Sequence, residues 1–84
     1  MFDFATATEL PNGATILDRS DINGRCHVLA EWGAEYVVWT VDRETGAAFW
    51  GHYFNPIGYN GDDGAAEAAR ECYREKLREA ASAA

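Results

Sequence analysis

The most reactive side chains of this sequence belong to two cysteines and two histidines, Cys26, His27, His52 and Cys72. Sulfur and imidazole groups together can hold a zinc ion, but these spacings fit none of the paired patterns that zinc sites use. Cys26 and His27 are also neighbours on a predicted strand, where successive side chains point to opposite faces. We therefore expect no metal site and two reduced thiols.

A cysteine–histidine pair can instead act as nucleophile and base, provided that other groups orient the base and stabilise an oxyanion. No recognisable pattern supplies those groups. The glycine-rich segment before the last predicted helix, residues 58–64, lacks the lysine of a phosphate-binding loop and carries two aspartates. The sequence thus predicts a protein that is not an enzyme and takes no cofactor.

The elements that must position these side chains are organised around one predicted hairpin. Two runs rich in valine and aromatic residues flank residues 42–46, a short turn that ends in glycine. Asn23-Gly24 and Gly33-Ala34 mark two earlier turns. The pattern predicts an α+β fold, an antiparallel three- to four-stranded meander sheet packed by one C-terminal helix.

One domain is expected over residues 1–84, with four parts: an N-terminal arm (1–13), a β-meander (14–54), a loop (55–64) and a helix (65–82). Asp62 or Asp63 is the expected N-cap. Apolar side chains at helical spacing predict the buried face of the helix: Ala66, Ala69, Tyr73, Leu77 and Ala80.

Both faces of the predicted central hairpin are apolar or aromatic, and a single helix can cover only one of them. This favours a homodimer that covers the second face, although a different partner or an arm carrying Phe2 and Phe4 would also do so. Aromatic side chains dominate the contact energy of many interfaces. The predicted dimer interface consists of Trp39, Trp50, His52 and Phe54.

The charge of the chain is strongly acidic, with fourteen acidic residues against seven basic ones. Residues 67–79 are balanced, so the whole excess of −7 lies in the first 63 residues. Such a surface repels phosphate and predicts no direct nucleic-acid binding, whereas it attracts a basic protein surface. The alternative is that the acidity serves only solubility. The predicted partner-binding residues are Asp18, Asp21, Glu31, Glu35, Asp42 and Glu44.

The first ten residues, MFDFATATEL, lack the basic and apolar regions of a secretory signal. No stretch approaches the roughly 20 apolar residues of a membrane span. We therefore expect a cytoplasmic protein that makes no membrane contact.

The segment VVWTVDRETGAAFWGHYF, residues 37–54, resembles a stretch in short uncharacterised proteins of phages, plasmids and integrated elements, including those in anti-CRISPR neighbourhoods. The resemblance is carried mainly by residues 49–54 and transfers no catalytic residue. It implies a small acidic protein of a host cell's cytoplasm that inhibits a nuclease complex by occupying its nucleic-acid-binding or subunit-binding surface.

Two functional hypotheses follow. The first is an anti-CRISPR-like inhibitor that binds a basic protein surface, such as that of a Cas effector subunit. The alternative is a stand-alone structural or regulatory dimer of a mobile element, with no nucleic-acid system as its target.

Overall fold

The computed structural model describes residues 2–82, so Met1 of the predicted arm and the last two residues of the predicted domain lie outside the described residues. Four strands form one antiparallel sheet in the order β1-β2-β3-β4, and one α-helix follows them. Their bounds are Thr15–Ile22 (β1), Arg25–Trp32 (β2), Glu35–Val41 (β3), Ala48–Phe54 (β4) and Asp62–Ser82 (α1). The predicted α+β meander with one C-terminal helix is confirmed.

The turns form where the sequence predicts them. Asn23 and Gly24 both have positive φ, of 54° and 79°, which the tight turn between β1 and β2 requires. In the turn between β3 and β4, the Asp42 carboxylate accepts hydrogen bonds from the backbone N–H groups of Glu44 and Thr45, at 2.8 and 3.0 Å. Gly46 then closes this turn at a φ of 77°.

The helix begins earlier than predicted, because Asp62 and Asp63 lie inside its first turn rather than capping it. Their negative charges are favourable there, next to the positive end of the helix dipole. The preceding loop also contains a short 3₁₀ helix, Pro56–Tyr59, whose N-cap Asn55 accepts a hydrogen bond from the backbone N–H of Ile57. Among residues 2–82, no helix combines the length and apolar character that crossing a membrane demands.

The helix covers one face of the sheet with small side chains, so the two layers approach closely. Ala69 and Tyr73 pack against Leu29 and Val38 at the centre of this layer. The Tyr73 hydroxyl also shares a 2.8 Å hydrogen bond with the hydroxyl of Ser20 on β1. At the start of the helix, Ala65 is fully buried and the predicted Ala66 only half-buried, so the buried face is centred on Ala65 there.

The N-terminal arm, residues 2–14, covers the opposite face of the sheet. Arg19 on β1 donates a 2.8 Å hydrogen bond to the backbone carbonyl of Phe4, and the backbone N–H of Ile16 donates to that of Thr8 at 2.9 Å. The residues buried in this layer are Phe4, Leu10, Ala14, Cys26, Val28, Ala30, Val37, Trp39 and Val41. Of the three covers that the sequence allows for this face, the arm carrying Phe2 and Phe4 is the one that the structure shows, so burying the face does not require the favoured homodimer.

A β-bulge in β4 changes which side chains share a face. Val38 pairs with His52 and Thr40 pairs with Phe49, so two residues of β4, Trp50 and Gly51, stand opposite Trp39 alone. Strict alternation predicts that Phe49 and His52 point to opposite faces. The bulge places both on the face that carries the helix.

Candidate protein-binding surface

The strand β4 is an edge of the sheet, and it carries most of the exposed aromatic surface of the described residues. We call Phe49, Trp50, His52 and Tyr53 the β4 surface; all four side chains are exposed. Phe49 and His52 lie on the helix side of the sheet and Tyr53 on the arm side, so the surface wraps around the edge. A partner could contact both the side chains and the unpaired backbone of this edge.

Trp50 is the most exposed aromatic of this surface and has an unusual backbone. Its side chain is 75% exposed, and its φ of 56° lies in the left-handed region that tryptophan rarely adopts. The indole ring packs edge-on against Phe49, with ring centroids 4.9 Å apart. The bulge therefore holds a large apolar ring in solvent at a conformational cost.

Trp39 supports the β4 surface from beneath and does not belong to it. The side chain is only 3% exposed, because the arm layer buries it. Its indole N–H donates a 3.4 Å hydrogen bond to the Tyr53 hydroxyl, and the two rings pack edge-on at 6.0 Å. The predicted role of Trp39 in a dimer interface is wrong, because almost none of this side chain is available to a second molecule.

The other predicted interface residues differ in their exposure. Trp50 and His52 are exposed, as an interface requires. Phe54 is half-buried, packed against the helix layer and against the Tyr59 ring at a centroid distance of 5.5 Å. Phe54 therefore belongs mainly to the core. Phe49 and Tyr53, which the sequence analysis leaves out, replace Trp39 and Phe54 in the exposed set.

The six predicted partner-binding acids are spread over three strands and one turn. Asp42 and Glu44 lie in the turn that leads into β4, and Glu35 lies near the other end of that strand. These three acids therefore flank the β4 surface at both ends. Such a frame of negative charge around an aromatic centre is suited to a basic partner.

The remaining three predicted acids lie elsewhere. Asp18 and Asp21 are on β1, the far edge of the sheet, and Asp21 forms an ion pair with Arg43. Glu31 is on β2, between Thr15 and Tyr36. The ion pair brings Asp21 to the turn that holds Asp42 and Glu44, whereas Asp18 and Glu31 lie farther along their strands.

The reactive side chains do not assemble into a catalytic group. Cys26 and Cys72 are free thiols, and burial raises the pKa of each, with the Asp42 carboxylate adding to the effect at Cys26. Neutral thiols are poor nucleophiles. Within residues 2–82, no three or more histidine, cysteine, aspartate or glutamate side chains are grouped as metal ligands.

Comparison of the chain with protein-family models, with curated proteins and with solved structures found no match. The functional argument therefore depends on the geometry of the chain itself.

Proposed function

We propose that this protein is a non-catalytic inhibitor that binds a basic protein through the β4 surface. The observation that carries the proposal is the exposed edge strand Ala48–Phe54, which contains no charged residue and places three exposed aromatic rings around the sheet edge. Large exposed apolar areas on small proteins usually mark an interaction site. Tryptophan and tyrosine are also enriched among the residues that contribute most to binding energy.

The edge itself supports binding rather than a purely structural role. Natural proteins protect exposed edge strands with charged residues or proline, since an unprotected edge pairs with other chains. The other edge, β1, follows that rule, with Asp18, Arg19 and Asp21 along it. The β4 strand carries no such charges, and its bulge at Trp50 and Gly51 interrupts the edge at one point only, so the backbone on either side of the bulge is available for pairing with a partner strand.

The charge of the chain indicates the class of partner. A net charge of −7, with Glu35, Asp42 and Glu44 near the two ends of β4, attracts a surface rich in lysine and arginine. Surfaces that bind nucleic acid have this character. Together with the resemblance of residues 37–54 to proteins from anti-CRISPR neighbourhoods, this supports a Cas effector subunit as the target, in the cytoplasm of a host cell.

Pull-down at low salt with purified Cas effector complexes tests the proposal. We expect stoichiometric capture by the wild-type chain and loss of capture by Trp50→Gly, which removes the exposed ring and suits the positive φ. Leu17→Ala is the matched control, because Leu17 is an exposed apolar residue on the opposite edge. Empty pull-downs with the wild type, or equal losses in both variants, would contradict the proposal.

A second candidate function is a stand-alone structural or regulatory dimer of a mobile element. The uncharged edge of β4 favours it, because two copies could pair through this strand in antiparallel orientation. Sedimentation velocity of the wild type and of Tyr53→Lys tests this candidate. A dimer that Tyr53→Lys dissociates supports it, because a charge on the edge blocks pairing, whereas a monomeric wild type rejects it.

A further inference from the structure

A groove between the sheet and the C-terminal half of α1 has a composition unlike the rest of this acidic protein. Its volume is about 480 Å³. It is lined by Arg25, His27, Thr40, Trp50, Lys76 and Glu79. Two of the seven basic residues of the chain face each other here across β2 and α1. The volume lies within the range of small-molecule sites.

The floor of the groove is a polar pair that the core holds in place. His27 is only 6% exposed, and its Nδ1 lies 3.3 Å from the Thr40 hydroxyl. Among the described residues the hydrogen bond of this ring is made by Nδ1, so Nε2 remains available to a ligand. Burial lowers the pKa of His27, and the charges of Lys76 and Arg25 lower it further. The imidazole is therefore neutral near pH 7.

The walls of the groove carry a net positive charge. Lys76 lies 3.7 Å from the carboxylate of Glu79, which balances one of the two basic side chains. Arg25 supplies the second positive charge from the sheet side. In a chain of net charge −7, a partly enclosed site of opposite sign is selective for anions.

We propose that this groove binds a small organic anion with a flat apolar body, a carboxylate or phosphate carried by an aromatic ring. The anionic group lies between the Arg25 guanidinium and the Lys76 ammonium. Both cations donate charge-assisted hydrogen bonds to it, which are stronger than hydrogen bonds between neutral groups. The ring packs on the Trp50 indole, which the strained bulge holds at the rim. This gives Trp50 a second role that is independent of any protein partner.

Binding is coupled to protonation of the groove. Burial is the main cause of the lowered pKa of His27, and the positive charges of Lys76 and Arg25 lower it further; an anion between them offsets these charges, and the imidazolium can then donate a hydrogen bond from Nε2. Arg25 on β2, Thr40 on β3, Trp50 on β4, and Lys76 and Glu79 on α1 line the groove with His27, and Ser20, hydrogen-bonded to Tyr73, pairs with His27 from β1. Affinity for a carboxylate, which stays ionised in this range, therefore rises as the pH falls from neutral.

Titration followed by two-dimensional NMR of the ¹⁵N-labelled chain tests the proposal. The probes are benzoate and phenyl phosphate, with acetate and inorganic phosphate as anions without a ring and benzyl alcohol as a ring without charge. We expect saturable shifts at His27, Thr40 and the Trp50 indole with the two ring-bearing anions. Phenyl phosphate against benzoate distinguishes the two anionic groups. Equal binding of acetate and benzoate, or no saturable shift at millimolar probe, overturns the proposal.

Two variants on one helix separate the groove from general charge effects. Lys76→Gln should weaken binding about tenfold, since it removes a charged hydrogen-bond donor. Arg74→Gln changes the charge equally, but Arg74 pairs with Glu71 on the exposed side of α1, so affinity should be unchanged. Equal losses in both variants overturn the proposal. His27→Gln should abolish the pH dependence of benzoate binding, and a dependence that persists in this variant rejects the role of the imidazole.

Discussion

At the scale of single residues, two adjacent positions of β4 differ in what limits the residue type: backbone conformation at Trp50 and space for a side chain at Gly51. Trp50 adopts a φ of 56° that suits glycine, whereas Gly51, outside the left-handed region, is confined by its neighbours. A Cβ at Gly51 would lie 2.6 Å from the indole nitrogen of Trp39. The glycine therefore serves the packing of Trp39, and the tryptophan occupies a position that local backbone preference assigns to glycine.

Trp50→Gly should leave the fold as stable as the wild type or more stable by up to about 1.5 kcal/mol. The left-handed conformation costs a non-glycine residue about 1–2 kcal/mol, which exceeds the entropic cost of glycine of about 0.5–1 kcal/mol. Little burial is lost, because the ring is 75% exposed. Urea unfolding measures the change. Trp50→Ala is the control, since it removes the ring but keeps a Cβ. If Trp50→Ala were more stable than Trp50→Gly, the backbone at this position would not be strained.

Gly51→Ala should destabilise the fold by about 1–3 kcal/mol, the usual cost of overpacking a core. The added methyl group would collide with the Trp39 indole and with the Tyr53 ring, which lies 2.8 Å from the ideal Cβ position. Gly58→Ala is the matched control, because no atom lies within 4 Å of a Cβ there. Equal free energies of unfolding for the two variants would show that Trp39 moves aside without cost.

His27 should make the stability of the fold fall on mild acidification. Its pKa is lowered in the folded chain, so below about pH 6.5 the unfolded chain binds a proton that the folded chain does not. The free energy of unfolding then decreases with falling pH until the folded histidine also protonates. Urea unfolding of the wild type and of His27→Gln between about pH 8 and pH 5 measures this difference. Parallel curves would exclude His27 as its source.

At the scale of elements, local signals predict the strands and turns, because those depend on neighbouring residues. Asn23-Gly24 requires a tight turn wherever it occurs between two strands, and Gly46 closes the next hairpin as expected. The bulge in β4 had a local signal too, since an isolated glycine inside a strand often marks one. Strict alternation across Gly51 hid it, and with it the position of Phe49 on the helix side of the sheet.

No short sequence pattern predicts that the arm is the segment covering the sheet, or that a groove forms beneath Trp50. Phe4 is separated by more than thirty residues from Trp39, a member of the same core layer, and the sequence between them does not specify which apolar segment covers the sheet. Lys76 and Arg25 line one groove only because α1 packs on the sheet beside β2. Such contacts depend on tertiary packing, which composition and periodicity do not determine.

The arm should behave as part of the core rather than as an appendage. Phe4→Ala should cost about 3–5 kcal/mol, the usual range for a buried phenylalanine, and should increase binding of a hydrophobic dye. Ile57→Ala is the control, because that side chain is 95% exposed and its loss should change stability by less than about 0.5 kcal/mol. A Phe4→Ala variant as stable as Ile57→Ala would mean that the arm does not cover the sheet in solution.

At the scale of the whole molecule, the position of the unpaired acidic side chains matters as well as the net charge. Arg43 pairs with Asp21, and the ion pairs along α1 balance much of the helix. Glu35, Asp42 and Glu44 remain beside the β4 surface. The charge should therefore affect the two proposed forms of association in opposite directions, since like chains repel each other and a basic partner is attracted.

Raising the salt concentration should weaken binding to a basic partner and strengthen pairing of the chain with itself. Salt shortens the Debye length from about 10 Å at 0.1 M to about 3 Å at 1 M, which screens both attraction and repulsion. Glu44→Lys should act in the same directions as added salt, because Glu44 borders β4. Asp18→Lys changes the net charge equally but lies on the far edge, so its effect should be smaller. Pull-down and sedimentation velocity measure the two equilibria. Equal effects of the two substitutions would mean that only the total charge matters and that the acids beside β4 form no docking frame.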